Sequence, residues 1–422
     1  MSTLKRAVSI LQKKGLAHFC KKAFHYTGSA FRYRFFPHQD KRNTNWHRYI
    51  QDLDARVEVM KASPWKLEIE STSVCNLQCI MCSHVFSHPR IGKHFNLDLL
   101  GRLSKMLPAA GEFQLMGSGE PLISPAFWKI MDIIGNNPSY MKPTIGISSN
   151  AAAMTPYIAA KLLSSPLREV SFSLDAATPE TYQKIRNGDF MRTVEHIRHL
   201  LQCRGKDNTK SPRVMLNMTL MRENIDELPQ FIKLSHSLGV DAIQFWPLHD
   251  YGDIDAEGWN VNRNGWKFNY RDQMLGQDEA DAQHANSVLD EAVALSETLG
   301  VPIIWPMGGK THIKPIKKHH TVSTASSLKP AASAVSKGMA CPVDCVAPWE
   351  WMLVNVNGDV RPCCYVQQSF GNIRQQLPEE IWNGADYREM RRYLAQGKLP
   401  PQCRNAACKY ARGNWMYSNP TD

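Results

Sequence analysis

The sequence has no run of about 18 apolar residues, so no helix long and apolar enough to cross a bilayer is expected. Its start, "MSTLKRAVSILQKKG", has no secretory apolar core, because Lys13 and Lys14 interrupt the stretch too early. Cysteine is scarce: eleven in 422 residues is too sparse for a disulfide scaffold. No internal repeat is visible. These absences make a cytoplasmic globular protein the expectation. What is present fits that class. The chain is 43% apolar and 21% charged, long enough to bury the core of one large α/β domain plus appendages.

Charge is unevenly spread. The formal net charge is +11, yet residues 1–61 hold thirteen Lys/Arg against four Asp/Glu, and residues 309–338 hold six Lys and no acid. The remainder is therefore slightly acidic. Basic appendages of this kind attract a membrane surface, a phosphorylated substrate or nucleic acid, or simply stay solvated. Near the start, Leu4, Val8 and Leu11 sit at helical spacing with Lys5, Arg6, Lys13 and Lys14 around them. A basic amphipathic helix there predicts docking on the protein's own body or, as the second reading, peripheral contact with a membrane.

From "WKLEIEST" (65–72) onward, strand-like and helix-like runs alternate. Residues 113–117, 144–149, 169–174, 213–220 and 241–246 read as buried strands, with helical patterns such as 124–135 and 224–239 between them. This period predicts a parallel sheet, a partial barrel with active residues at the strand C-termini. Residues 250–282 show no period, a helix is expected from Glu279 to Leu299, and 309–340 read as a linker or mobile loop.

The cysteines cluster. Cys75, Cys79 and Cys82 stand within eight residues, six more lie between Cys341 and Cys408, and only Cys20 and Cys203 stand alone. In a reducing compartment such clusters read as metal or redox ligands. Three thiolates on one loop can hold three irons of a cubane and leave the fourth open. Zinc is the rival, with His84 or His88 as fourth ligand.

The Cys-x3-Cys-x2-Cys loop resembles the signature of the radical S-adenosylmethionine (radical SAM) superfamily, and other segments agree. "MGSGEPL" (116–122) resembles that family's Gly-Gly-Glu-type motif, as Gly117-Ser118-Gly119-Glu120, with Ser118 departing from the commonest form. "SSN" (148–150) resembles the end of its third strand, and "SFSLDAATPETYQKIRNG" (171–188) its fourth-strand segment. "LMREN" (220–224) resembles the end of its fifth strand. The resemblance implies a partial (β/α)6 barrel over 62–308 that binds S-adenosyl-L-methionine (SAM) and a [4Fe-4S] cluster. Cys75, Cys79 and Cys82 would be the metal ligands. Gly117, Ser118, Gly119 and Glu120 would meet the methionine ammonium, Ser148 and Asn150 would line the site, Ser173 and Asp175 would lie near the ribose, and Arg222 would meet the carboxylate.

At the other end, "CVAPWEWMLVNVNGDVRPCC" reads as a strand, an Asn-Gly-Asp turn (357–359) and a returning strand. Cys345-x12-Gly358-x4-Cys363, followed by "FGNI" (370–373) and "IWN" (381–383), resembles the SPASM/twitch extension of radical SAM enzymes. That places a small cysteine-rich domain at 341–422, with one auxiliary [4Fe-4S] cluster on Cys345, Cys363, Cys403 and Cys408. A zinc ribbon is the alternative. Cys364 should face away from Cys363, and Cys341 is a spare or a fifth candidate.

The activity implied is one-electron cleavage of SAM to a 5′-deoxyadenosyl radical, hydrogen-atom abstraction, and oxidation of the substrate with help from the auxiliary cluster. An external one-electron donor such as flavodoxin or ferredoxin is implied as a partner, and nucleic acid is not. No leader-peptide recognition element is evident before residue 60, and the appendages are basic. The expectation is therefore a small polar or anionic substrate such as a sugar derivative. A peptide- or protein-modifying maturase is the alternative, and a non-catalytic metal-binding interaction protein is the reading from another class. No general base stands out.

Overall fold

The structure, a computed structural model, describes residues 41–82, 92–135, 143–205, 211–248, 260–263, 265–305, 312–313, 315, 345–403 and 408. Leu4, Val8, Leu11, His84, His88, Cys20, Cys341 and nearly all of 309–340 lie outside the described residues.

Six strands pair in parallel in chain order: β1 (Lys66–Ile69), β2 (Glu112–Gln114), β3 (Thr144–Ser149), β4 (Glu169–Ser173), β5 (Arg213–Leu220) and β6 (Ala242–Pro247). A separate hairpin, β7 (Asn260–Arg263) with β8 (Trp266–Asn269), follows. β9 (Ile303–Ile304) adds in parallel beyond β6. On the opposite side, β10 (Trp351–Val354) pairs in parallel with β1, and β11 (Val360–Arg361) closes an antiparallel hairpin on β10.

Strand alternation sorts the side chains. Leu67, Ile69, Phe113, Ile145, Val170 and Phe172 are fully buried against the helices. Lys66, Glu68, Glu70, Glu112 and Gln114 take the other, inner face. Helices start where the sequence supplies caps. Thr155, Thr178 and Asp189 accept from the N–H groups of Ile158, Thr181 and Arg192, and Pro follows the first two directly. They stop at left-handed residues such as Asn187 (φ 54°) and Gly239 (φ 73°).

Strands at 144–149 and 213–220 and the helix Glu279–Leu299 have the expected bounds. The second strand is shorter than 113–117. It ends at Gln114 because the chain turns away to bond the cysteine loop, with Gly119 N–H donating to Thr72 O (3.1 Å) and Glu120 N–H to Val74 O (2.8 Å). The stretch 250–282, read as aperiodic, contains the β7–β8 hairpin. Its Trp266 and Phe268 alternate along β8, Tyr270 opens the short helix that follows, and the three stack edge-on, at 5.5 and 5.2 Å between centroids. They form a second small core with Ile80, Ile185, Met221 and Leu248.

The expected segment boundaries at 61/62 and near 341 are both bridged. Trp46 of the helix Lys41–Asp54 packs 4.6 Å from Trp65. Trp349 and Trp382 donate their indole N–H groups to Val57 O and Ala62 O, each at 2.9 Å. Arg391 is fully buried and donates to the carbonyls of Pro348 (2.8 Å), Glu58 (3.0 Å) and Trp382 (2.9 Å). Among the described residues, no helix is long and apolar enough to cross a membrane.

Candidate active site and auxiliary metal centre

The cysteine loop leaves the end of β1 and sits over the strand ends. Cys79 is buried, and Cys75 and Cys82 are half-buried. The loop is pinned by Ile80 N–H to Ile185 O (2.8 Å) and tightened by Cys82 N–H to Cys79 O (3.1 Å). Two donors point at sulfur. Asn150 Nδ2 lies 3.7 Å from Cys75 Sγ and 2.8 Å from Asn76 Oδ1, and Arg186 Nη1 lies 3.5 Å from Cys79 Sγ. Burial pushes the Cys75 thiol up. A cation beside Cys75 would hold it as a thiolate.

The Gly117–Glu120 turn lies against that loop, and its glycines are demanded by contact. A Cβ on Gly117 would stand 2.3 Å from Glu70 Cγ, and one on Gly119 would stand 2.4 Å from Val74 O. Ser148 and Ser173, on adjacent strands, bring their hydroxyls to 3.5 Å and stay half-buried.

The second set of thiols gathers from distant positions. Cys363 and Cys403 are buried, Cys345 and Cys408 half-buried. Each of Cys363 and Cys403 lies within electrostatic reach of the other three members of the set or of two of them. Burial, with the neighbouring sulfurs, pushes Cys363 up to about 12. Such a buried set ionises only around a multivalent cation. The donor set therefore fits a metal centre. Cys364 lies in a turn just past β11 and is exposed. Among the described residues, no three His, Cys, Asp or Glu converge as ligands of a single ion. A tetrahedral zinc needs sulfurs about 3.8 Å apart, whereas an iron–sulfur cube carries each thiolate on its own corner iron.

The chain matches two family patterns: the radical SAM superfamily over residues 69–235, and the SPASM iron–sulfur cluster-binding domain over residues 345–409. The chain belongs to the radical SAM superfamily. It is 28% identical over 196 residues to the mycofactocin maturase MftC of Mycolicibacterium smegmatis, 46% of each chain, so the match spans about half of that relative. It is 24% identical over 343 residues to the AdoMet-dependent heme synthase of Methanosarcina barkeri, covering 79% of this chain and 86% of the other. Its fold is similar to Streptococcus suis SuiB, solved bound to the precursor peptide SuiA. The TM-score there is 0.54 and the identity 13%, over 87% of this chain and 77% of that one. SAM and a [4Fe-4S] cluster are thus the cofactors of the radical SAM barrel, and auxiliary iron–sulfur that of the SPASM domain.

The geometry shows what three residues expected in this radical SAM site touch. Glu120 was expected to face the methionine ammonium. Its carboxylate is instead turned inward, 2% exposed, accepting from Leu122 N (3.0 Å), Ser149 Oγ (2.8 Å) and Asn150 N (2.7 Å). Three donors repay its burial, and it fixes the turn from beneath. Asp175, expected near the ribose, is fully buried at φ 60°. It pairs with Arg186 (2.5 Å) and accepts from Thr219 N (2.7 Å). Arg222, expected at the carboxylate, is half-exposed and pairs with Asp281 (3.2 Å), an acid in the first turn of the helix Glu279–Leu299.

Arg186, which the sequence pattern does not single out, brings a positive charge beside the cysteine loop. It closes the helix Pro179–Arg186, and that helix starts only four residues after Asp175. Desolvation opposes its charge, but Asp175 and the Cys79 sulfur outweigh that and raise its pKa. Glu70 was also missed. Its Oε1 accepts from Ser118 N (2.8 Å) and the Ser118 hydroxyl, and its Oε2 from Val356 N (3.0 Å).

Proposed function

We propose that this radical SAM enzyme is a maturase that modifies a peptide or protein, and that it does so by oxidation. In this reading Cys75, Cys79 and Cys82 hold the SAM-cleaving [4Fe-4S] cluster. Cys345, Cys363, Cys403 and Cys408 hold one auxiliary [4Fe-4S] cluster. The backbone of Gly117–Gly119 together with Ser148, Asn150 and Ser173 receives SAM. When bound, these groups supply the reductive cleavage that yields a 5′-deoxyadenosyl radical. The protein's own residues orient and protect them. Asn150 and Arg186 each hold a thiolate sulfur. Glu120 fixes the SAM turn. The β7–β8 hairpin packs its aromatic face on Ile80 and so shields the cysteine loop from water.

The observation that carries the reading is the junction of the three-thiol loop with the Gly117–Glu120 turn through Thr72 and Val74. The peptide substrate is supported by the likeness to a maturase and to a fold solved with a precursor peptide. The inner face of the barrel around β1 and β2 carries more acid than base. Glu68, Glu70 and Glu112 stand there with Lys66, whose ammonium is 3.3 Å from Glu112. A small-molecule reading is supported by the likeness to a heme synthase, aligned over 343 residues.

The test is SAM turnover by reconstituted, dithionite-reduced enzyme. A short peptide encoded beside the gene should stimulate 5′-deoxyadenosine formation and lose two mass units or gain a cross-link. Stimulation by a tetrapyrrole and not by the peptide would establish the second reading.

A further inference from the structure

We infer that Glu70 is a positioning residue that ties the occupancy of the SAM turn to the hairpin of the SPASM domain. The inference rests on the proposal that the Gly117–Gly119 backbone receives SAM. Glu70 follows the last residue of β1 and is 7% exposed. One carboxylate serves two elements far apart in the chain. Its Oε1 accepts from Ser118 N at 2.8 Å and from the Ser118 hydroxyl, and its Oε2 accepts from Val356 N at 3.0 Å.

The group is held at both carboxylate oxygens and at its own backbone. Gly117 closes on its Cγ so tightly that a Cβ there would sit 2.3 Å away. Its own N–H is held by Val354 O at 2.9 Å. A carboxylate is a rigid plane, so a displacement of Ser118 on one oxygen moves the acceptor of Val356 on the other. Val356 lies in the turn between β10 and β11. β11 ends at Arg361, two residues before Cys363. The path from the SAM turn to the auxiliary thiols is therefore one side chain and one short strand. The Oε2 bond to Val356 reaches from the barrel to the SPASM hairpin.

Coupling of this kind is reciprocal and is read from either end. Hydrogen exchange of the iron-loaded, unreduced enzyme with and without SAM tests it, resolved at residues 117–119 and at Val356. SAM should slow exchange at 117–119 and slow the Val356 amide by about fivefold or more. In Glu70→Gln, where one oxygen is lost as an acceptor, saturating SAM should still protect 117–119 and no longer affect Val356. Protection at 117–119 with an unchanged Val356 in the wild type would overturn the coupling and leave the SAM site standing. Bound SAM without protection at 117–119 would instead overturn the site assignment. A Val356 response that survives in Glu70→Gln would also overturn the role of this carboxylate. The wild-type arm decides by itself should the variant fail to load iron.

Discussion

The two thiol sites are built in opposite ways. The first takes three cysteines from eight consecutive residues and steadies them with polar donors, Asn150 on Cys75 and Arg186 on Cys79. The second gathers four cysteines from Cys345 to Cys408, and the two most buried of them, Cys363 and Cys403, belong to the apolar core. A site with three thiols and neighbouring donors suits a cluster that must bind and release a small molecule. A site with four thiols in an apolar setting suits one that is closed. The difference also separates their failure modes in physical terms: the first site loses chemistry when its cysteines go, the second loses packing as well.

The largest effect that would break this comparison is removal of the first site. The Cys75→Ala, Cys79→Ala, Cys82→Ala variant should lose 5′-deoxyadenosine formation altogether under dithionite, measured by chromatography. Iron should fall from about eight to about four per chain. Loss of all iron would mean the two sites do not load independently. One zinc and about four irons in the wild type would make the second site a ribbon.

Next comes the seam between the halves. Arg391 is buried, its cation lies 4.5 Å from the Trp382 ring centroid, and burial lowers its pKa to about 9. Arg391→Ala would strand the carbonyls of Pro348, Glu58 and Trp382, at a cost of about 3–5 kcal/mol. Denaturant unfolding should show it, with iron at the first site retained at low temperature. A change below about 1 kcal/mol would mean the seam contributes little.

A smaller effect should appear on the inner face of the barrel. Burial pushes the Glu68 carboxyl up to about 7, with Glu70 and Glu112 adding to the rise and Lys66 opposing it. A raised carboxyl pKa means the folded chain binds the proton more tightly than the unfolded chain. Its stabilisation is complete below the ordinary carboxylate range and is lost as pH rises through about 7. The melting temperature should fall between pH 6 and pH 8, and Glu68→Gln should flatten that fall. An unchanged slope in the variant would place the titration elsewhere.

Much of the first site was legible because its signal is local. Cys75, Cys79, Cys82 and the Gly117–Glu120 turn are short runs whose spacing survives any packing. The sheet was legible too, since one face of runs such as "TIGISS" and "RVMLNMTL" is apolar or nearly so. What escaped depends on contacts across the chain. Glu120 and Asp175 carry the right motif, but their burial directs them inward, where backbone N–H groups and Arg186 satisfy them. Arg222 was drawn off by Asp281, an acid 59 positions later that no local pattern links to it. Glu70 reads as an ordinary strand residue until β10 is found beside β1. The β7–β8 hairpin hid in a polar composition, although Trp266-x-Phe268-x-Tyr270 is a period-two signal.

The most direct test of the account is electron paramagnetic resonance of the reduced wild-type enzyme before and after addition of SAM. The account predicts two cluster signals, of which only the one absent from the Cys75→Ala, Cys79→Ala, Cys82→Ala variant shifts when SAM is added. A shift in the signal that this variant retains, or no shift in either, would contradict it.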